Sequence, residues 1–251
     1  MNYMEYGKEH KKVIILLHGG GLSWWNYREV AEKLSSDYHV VLPILDGHAK
    51  SSCDFTSIEE NAARMIAFID KQFGGSVLLI GGLSLGGQIV LEILSQRKDS
   101  CRYALIESAL VVPSQFTCVM VKPVFGSCYG LIKHRWFAQL QFKSLGIKQE
   151  LFEDYFRDTC GISKSNMIAF LEANSSYRIK PSIAGCSAKS YIFVGEKEHK
   201  AMRRSAKIMV DTLAESTLQV LPGMCHGEFS INYADNYAKT VREIVELEGR
   251  R

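Results

Sequence analysis

The sequence lacks a large net charge, a long apolar run and any paired-cysteine motif. Its net charge of +3 over 251 residues is too small to argue for a nucleic-acid partner. No apolar segment approaches the roughly 20 residues that a membrane-spanning helix needs. The N-terminal residues also lack the basic-then-apolar layout of a signal peptide. We therefore expect a cytoplasmic protein without a membrane span or a nucleic-acid partner; its oligomeric state is left open.

The seven cysteines form no C-x-x-C pair, and their number is odd. A disulfide framework in a secreted protein normally uses an even set of cysteines. Free buried thiols in a reducing cytoplasm are the simpler interpretation. This includes Cys225, which we expect to be a small buried packing residue.

Short apolar runs alternate with segments of helical spacing along most of the chain. The helical segments Trp25–Leu34 and Ile58–Phe73 separate the first three runs. Continuous apolar strands separated by helices predict a mostly parallel sheet with helices on both faces. The predicted strands are Val13–Leu17, His39–Pro43, Val77–Ile80, Tyr103–Ile106, Tyr191–Val194 and Thr217–Leu221.

The alternation stops between Pro113 and Pro181, where no strand pattern occurs. Amphipathic, aromatic-rich runs in this interval predict a helical cap, or lid, over the site. The predicted division is a core of residues 1–112 and 182–251 with a cap of residues 113–181. The cap has nine Lys and Arg against five acids. A solvated helical surface is a simpler explanation of this excess than attraction of anions.

The pentapeptide Gly82-Leu83-Ser84-Leu85-Gly86 follows one apolar run and precedes a helical segment. Strand, Gly-flanked turn and helix are the context in which G-x-S-x-G forms a nucleophile elbow. Ser84 is therefore the predicted nucleophile, at the positive end of the following helix.

A serine hydroxyl needs a base, and that base needs an acid to fix its tautomer. His226 follows the last predicted strand and is the predicted base. The chain order Ser, acid, His points to the loop after Tyr191–Val194, which holds Glu196 and Glu198. We favour Glu198, which lies farther into the loop, and Glu107 is a second choice.

The glycines of His18-Gly19-Gly20-Gly21 end the first predicted strand. Such a loop can turn N–H groups toward a developing oxyanion. We assign Gly20 and Leu85 N–H as the two donors of an oxyanion hole. No Gly-Lys-Ser/Thr follows, which excludes a phosphate-binding P-loop.

These motifs, with Gly47-His48-Ala49-Lys50-Ser51, resemble the α/β-hydrolase superfamily in its small esterase-like branch with a helical cap. The resemblance covers nearly the whole chain and implies an α/β-hydrolase fold with a Ser-His-acid triad and no metal or cofactor. Two positions depart from the family pattern, since Ala49 replaces a usual Gly and Glu198 a usual Asp. The strand hairpin that normally opens the core must also be shortened here.

The leading hypothesis is a serine hydrolase of a small carboxylic ester or thioester, acting through an acyl-enzyme. A carbon–carbon bond hydrolase or lyase of the same fold is the alternative, since fold and triad do not separate these reactions. A third hypothesis is a non-hydrolytic ligand-binding protein that keeps the pocket. The natural substrate is left open by the sequence.

Overall fold

The six apolar runs and one further strand form a seven-stranded sheet in the computed structural model, which describes residues 1–246. The strand order is β1-β3-β2-β4-β5-β6-β7, and all neighbouring pairs are parallel except β1 with β3. The predicted fold class is therefore confirmed. The strands are β1 Tyr3–Tyr6, β2 Val13–Leu17, β3 His39–Pro43, β4 Val77–Leu83, β5 Cys101–Glu107, β6 Lys189–Gly195 and β7 Ser216–Leu221.

Helices cover both faces of this sheet. The alternation of strand side chains divides the core, so that Ile15 and Leu17 of β2 join one apolar cluster while Ile14 and Leu16 join the other. The helices are α1 Arg28–Leu34, α2 Ile58–Phe73, α3 Leu85–Gln96, α4 Gln115–Cys128, α5 Arg135–Ser144, α6 Phe152–Gly161, α7 Lys164–Ser176, α8 Lys200–Thr212, α9 Glu228–Asn232 and α10 Ala234–Glu246. A 3-10 turn, Trp24–Tyr27, precedes α1.

Strand β1 is the element that the sequence pattern missed. Its four residues pair antiparallel with β3, in the register Tyr3 with Pro43 and Tyr6 with Val40. The strand is only partly buried and contains a charged residue, Glu5, so its sequence shows no apolar run. The chain thus opens with a single edge strand that lies beside β3.

The interval between β5 and β6 contains helices α4 to α7 and, between residues 113 and 181, no strand. Polar contacts attach this segment to the sheet-bearing part. The Trp25 indole N–H donates to the Asp158 carboxylate (3.0 Å). Gln88 Nε2 of α3 donates to the main-chain carbonyl of Asn174, and Asn174 Nδ2 donates to Gln88 Oε1 (both 2.9 Å). Ion pairing of Arg28 with Asp154 adds a third attachment.

The carboxyl ends of the parallel strands meet at one edge of the sheet, which is where open α/β sheets bind ligands. The loops that follow β2, β4, β5, β6 and β7 therefore converge there. Among residues 1–246, every helix is too short or too polar to cross a lipid bilayer.

The seven cysteines are free, all within the described residues. Burial was predicted for them, but only Cys101 and Cys186 are buried. Cys225 is exposed, so its prediction as a buried packing residue is wrong. Cys225 lies on the turn that follows β7, next to His226, which is also exposed.

Candidate active site

Ser84 lies in a sharp turn between β4 and α3. Its backbone has φ 54° and ψ −111°, a conformation that a non-glycine residue adopts only when its surroundings enforce it. Its N–H donates to the carbonyl of Glu107 on the neighbouring strand (2.8 Å). Its own carbonyl accepts from Gln88 N–H (3.0 Å), which begins the helical hydrogen bonding.

The two flanking glycines are required by close backbone approach. A Cβ on Gly86 would lie 2.1 Å from the carbonyl oxygen of Leu17, and one on Gly82 would lie 2.4 Å from the Gly86 carbonyl. Neither contact is sterically possible. The start of α3 therefore packs directly on the end of β2, and the turn projects Ser84 at the carboxyl edge of the sheet.

Glu198 and His226 are hydrogen-bonded. The distance from Glu198 Oε2 to His226 Nδ1 is 2.9 Å. The other carboxylate oxygen, Oε1, accepts from the Ser108 hydroxyl (2.7 Å) and from Gly195 N–H (2.7 Å). Both oxygens of Glu198 thus accept hydrogen bonds. The Nδ1 side of the His226 ring faces the carboxylate, and Nε2 lies on the side of the ring away from it.

The two partners differ greatly in exposure. The Glu198 side chain is fully buried, whereas 47% of the His226 side chain is exposed. Burial raises the pKa of Glu198, but hydrogen bonds from His226, Ser108 and Gly195, together with the charge of a protonated His226, outweigh it and hold the pKa below its ordinary value. Glu198 is therefore an ionised acceptor at neutral pH.

Glu107, the second-choice acid, occupies a different environment at the end of β5. One of its oxygens accepts from Ser230 N–H (3.3 Å), while Oε2 is buried without a hydrogen-bond partner among the described residues. Burial raises the pKa of Glu107 to about 7, only partly opposed by the hydrogen bond from Ser230 N–H. Glu196 is exposed and accepts a hydrogen bond from Gly223 N–H (2.8 Å), not from His226.

Two buried histidines hold the Gly-rich loop. His18 Nε2 accepts from Leu45 N–H (3.1 Å), and His48 Nε2 accepts from Gly21 N–H (3.0 Å). Their Nδ1 atoms face carbonyl oxygens of Gly19 and Asp46. Each ring must therefore be neutral, with its proton on Nδ1.

The electrostatics agree with neutral rings. Burial lowers the pKa of His18 well below its ordinary value and that of His48 to about 4. The His48 ring also stacks on Phe170 of α7, with centroids 4.8 Å apart. A Cβ on Gly20 would lie 3.3 Å from the same Phe170 ring, so the loop lies beneath α7.

A cavity of about 110 Å³ connects the candidate groups. Ser84, His226 and Gly20 line it, and Leu85 follows Ser84 as the first residue of α3. The rest of the lining is glycine or aliphatic, and comes from Gly19, Leu22, Leu83, Leu145, Ile147, Gly227 and Ile231. The walls can hold an apolar group beside the Ser84 hydroxyl, and Leu145 and Ile147 come from the segment between β5 and β6.

Sequence reasoning missed Ser108 and the tethering roles of His18 and His48. Ser108 is a non-glycine residue at φ 54°, one residue after β5. Its position beside Glu198 depends on the pairing of β5 with β6, which local pattern does not reveal. No group of three or more His, Cys, Asp or Glu side chains among residues 1–246 is arranged to hold a metal ion.

A sequence model of the alpha/beta hydrolase fold family matches residues 12–142, just over half of the chain. The chain belongs to the alpha/beta hydrolase fold family. The match includes the Gly-rich loop, the Ser84 turn and strands β2 to β5. This membership confirms the predicted resemblance and supports a hydrolase. A search of curated protein sequences gives no match.

Solved alpha/beta hydrolase-like structures align with nearly the whole chain. The enol-lactonase from Burkholderia xenovorans LB400 has a TM-score of 0.81 at 15% identity, covering 98% of this chain and 96% of its own. An esterase from Exiguobacterium antarcticum has a TM-score of 0.81 at 17% identity, covering 97% and 94%. MenH from S. aureus has a TM-score of 0.77 at 18% identity, covering 99% and 98%. At these identities the likeness shows a shared fold.

The environment of Glu107 predicts a pH-dependent stability. Its pKa rises from 4.5 to about 7 on folding, so the folded protein binds this proton more tightly than the unfolded chain. The stabilisation is complete below pH 4.5 and is lost as the pH rises through 7. Glu107→Gln keeps the shape without titrating, so it should melt above the native protein at about pH 8, with a smaller difference at about pH 5.

Thermal unfolding of both proteins across this pH range measures the difference. Glu196→Gln, the same substitution at an exposed carboxylate, is the matched control. A Glu107→Gln effect that is constant with pH would contradict the assignment of a buried, protonated carboxyl.

Proposed function

We propose that this protein is a serine hydrolase that cleaves a small carboxylic ester or thioester through an acyl-enzyme. The observation that carries the proposal is the shared cavity of Ser84 and His226, with His226 hydrogen-bonded to the fully buried Glu198. The strained backbone of Ser84 supports the same conclusion, because such strain concentrates at functional turns. Family membership supports hydrolysis as the class of reaction.

In the proposed reaction the Ser84 hydroxyl attacks the carbonyl carbon while His226 accepts its proton. Glu198 stabilises the imidazolium and fixes the tautomer through Nδ1. The N–H groups of Gly20 and Leu85 stabilise the oxyanion of the tetrahedral intermediate. His226 then protonates the leaving group, and water repeats the cycle on the acyl-enzyme. These steps use no metal or organic cofactor.

We further propose that residues 113–181 act as a cap on a core of residues 1–112 and 182–251. Leu145 and Ile147 give the cavity part of its apolar wall, and Phe170 packs against Gly20. An apolar wall beside the nucleophile favours an uncharged acyl group. The cytoplasmic location stays a prediction.

The function is tested with Ser84→Ala and a fluorophosphonate probe. Removing the nucleophile of such a triad costs on the order of a million-fold in turnover. The variant should therefore lose both ester hydrolysis and covalent labelling, while its circular dichroism stays that of the native protein. Residual activity above about a tenth would overturn the assignment of the nucleophile. Ser84-dependent cleavage of diketones, with none of esters, would assign carbon–carbon hydrolysis instead.

The acid is tested by comparing two neighbouring glutamates. Glu198→Gln should lower kcat by about 10⁴-fold, because an amide neither selects the required tautomer of His226 nor stabilises its cation. Glu196→Gln, on the same loop but exposed, should change kcat by less than about threefold. Steady-state kinetics on an activated ester measures both. The reverse order of effects, or a large loss only in Glu107→Gln, would refute Glu198 as the acid.

The cavity volume predicts the acyl size. An apolar cavity of about 150 Å³ takes up benzene, so one of about 110 Å³ suits an acyl group of a few carbons. Acetyl and butyryl p-nitrophenyl esters should show kcat/KM at least about tenfold above the octanoyl ester. Ile147→Ala should reduce this preference because the smaller side chain enlarges the cavity. Leu218→Ala, on the outer strand β7, should leave the preference unchanged. A flat chain-length profile would refute the size limit.

A further inference from the structure

Exposed apolar side chains are concentrated in the first half of the proposed cap. Among residues 1–246, thirteen large hydrophobic side chains are exposed, and eight of them lie between residues 116 and 145. Single exposed apolar residues are normal on a protein surface, whereas several on one face of a helix indicate a binding surface. We call residues 116–145 the apolar cap segment.

Helix α4 carries the first part of this concentration. Phe116, Val119, Met120 and Val124 recur at the three- and four-residue spacing that puts them on one face of a helix. Phe116 is 79% exposed and Val119 is 73% exposed. Val121 of the same helix is buried, so α4 has apolar side chains both where it packs and where it faces solvent.

Helix α5 carries the second part. Trp136 is 65% exposed and Leu140 is 64% exposed, and with Lys143 they lie at positions i, i+4 and i+7 of the helix. These three residues therefore share one face. Tryptophan beside a basic residue, with aliphatic neighbours, is typical of helices that lie in a membrane–water interface.

The charges within the sequence of this segment have one sign. No Asp or Glu occurs between residues 108 and 149, whereas this stretch contains five Lys and Arg. Three of these cations, Lys122, Arg135 and Lys148, pair with acids from other parts of the chain. Lys133 lies over the Tyr129 ring (5.5 Å), and the described structure shows no ion pair for Lys133 or for Lys143.

We propose that the apolar cap segment docks on the surface of an anionic lipid bilayer. Headgroup phosphates would pair with Lys133 and Lys143, and the acyl boundary would take up Trp136, Leu140 and the apolar face of α4. A second copy of the chain fits less well, because a two-fold contact would oppose lysines with no carboxylate in the segment to pair with them. The attachment would be peripheral.

The experiment is co-sedimentation of the full-length protein with vesicles. Vesicles of phosphatidylcholine alone are compared with an equal mixture of phosphatidylcholine and phosphatidylglycerol. We expect binding to the mixture that weakens as salt is raised, because screening shortens the reach of the lysine charges. Tryptophan emission should shift to the blue on binding, since Trp25 is buried already and Trp136 is the most exposed of the three tryptophans.

Paired variants separate the two contributions. Trp136→Ser with Leu140→Ser should lower the partition coefficient by more than about tenfold. Lys133→Gln with Lys143→Gln should lower it by about 25-fold, at about fivefold per lysine. The control pair Leu218→Thr and Val220→Thr changes exposed apolar residues on β7, outside the segment, and should leave it unchanged.

Three results would overturn the proposal. These are no binding to the mixture, equal binding to both vesicles, or equal loss in the control pair. A dimer in sedimentation that Trp136→Ser with Leu140→Ser abolishes, without vesicle binding, would assign the face to a second copy. Trp136, Leu140, Lys133 and Lys143 do not line the cavity beside Ser84, so Ser84→Ala should bind vesicles as the native protein does, whatever its activity.

Discussion

The close packing of α3 on the end of β2 is the constraint on which the rest of the site depends. Gly86 has no room for a side chain against the Leu17 carbonyl, and Gly82 has none against Gly86. The chain must therefore reverse direction within one residue, which forces Ser84 to a positive φ. The same approach brings the end of β2, with its Gly-rich loop, beside the first N–H groups of α3. The proposed nucleophile and the proposed oxyanion donors thus arise from one steric condition.

Two buried glutamates at the ends of neighbouring strands show how environment separates identical side chains. Glu198 receives hydrogen bonds on both oxygens, from His226, Ser108 and Gly195, and its pKa falls. Among residues 1–246, Glu107 receives one hydrogen bond, from Ser230 N–H, and its Oε2 has no partner, so its pKa rises to about 7. An ionised carboxylate suits the proposed orientation of an imidazolium, and a neutral acid does not. The difference comes from the number of donors within reach and from the charge of His226 beside Glu198, since both side chains are buried.

Most of the sheet could be predicted because its central strands are buried on both faces and read as continuous apolar runs. Strand β1 could not, since it is short, half-exposed and interrupted by Glu5. Strands β4 and β6 extend to Leu83 and Gly195, beyond the apolar runs, because pairing with neighbours continues there. The contact of Ser108 with Glu198 depends on the tertiary pairing of strands, and the exposure of Cys225 depends on the position of the turn after β7. Neither feature has a local signal in the sequence.

The two neutral histidines that hold the Gly-rich loop make that loop the acid-labile part of the site. His48 Nε2 accepts a hydrogen bond from Gly21 N–H, so a proton added to Nε2 would place two N–H donors opposite each other. Its pKa falls from 6.5 to about 4 on folding, so its stabilising contribution is present above 6.5 and is lost as the pH falls through 4. Glu198, with its lowered pKa and three donors, resists the same change. Acid exposure would therefore open the loop that carries Gly20 while the pairing of His226 with Glu198 persists.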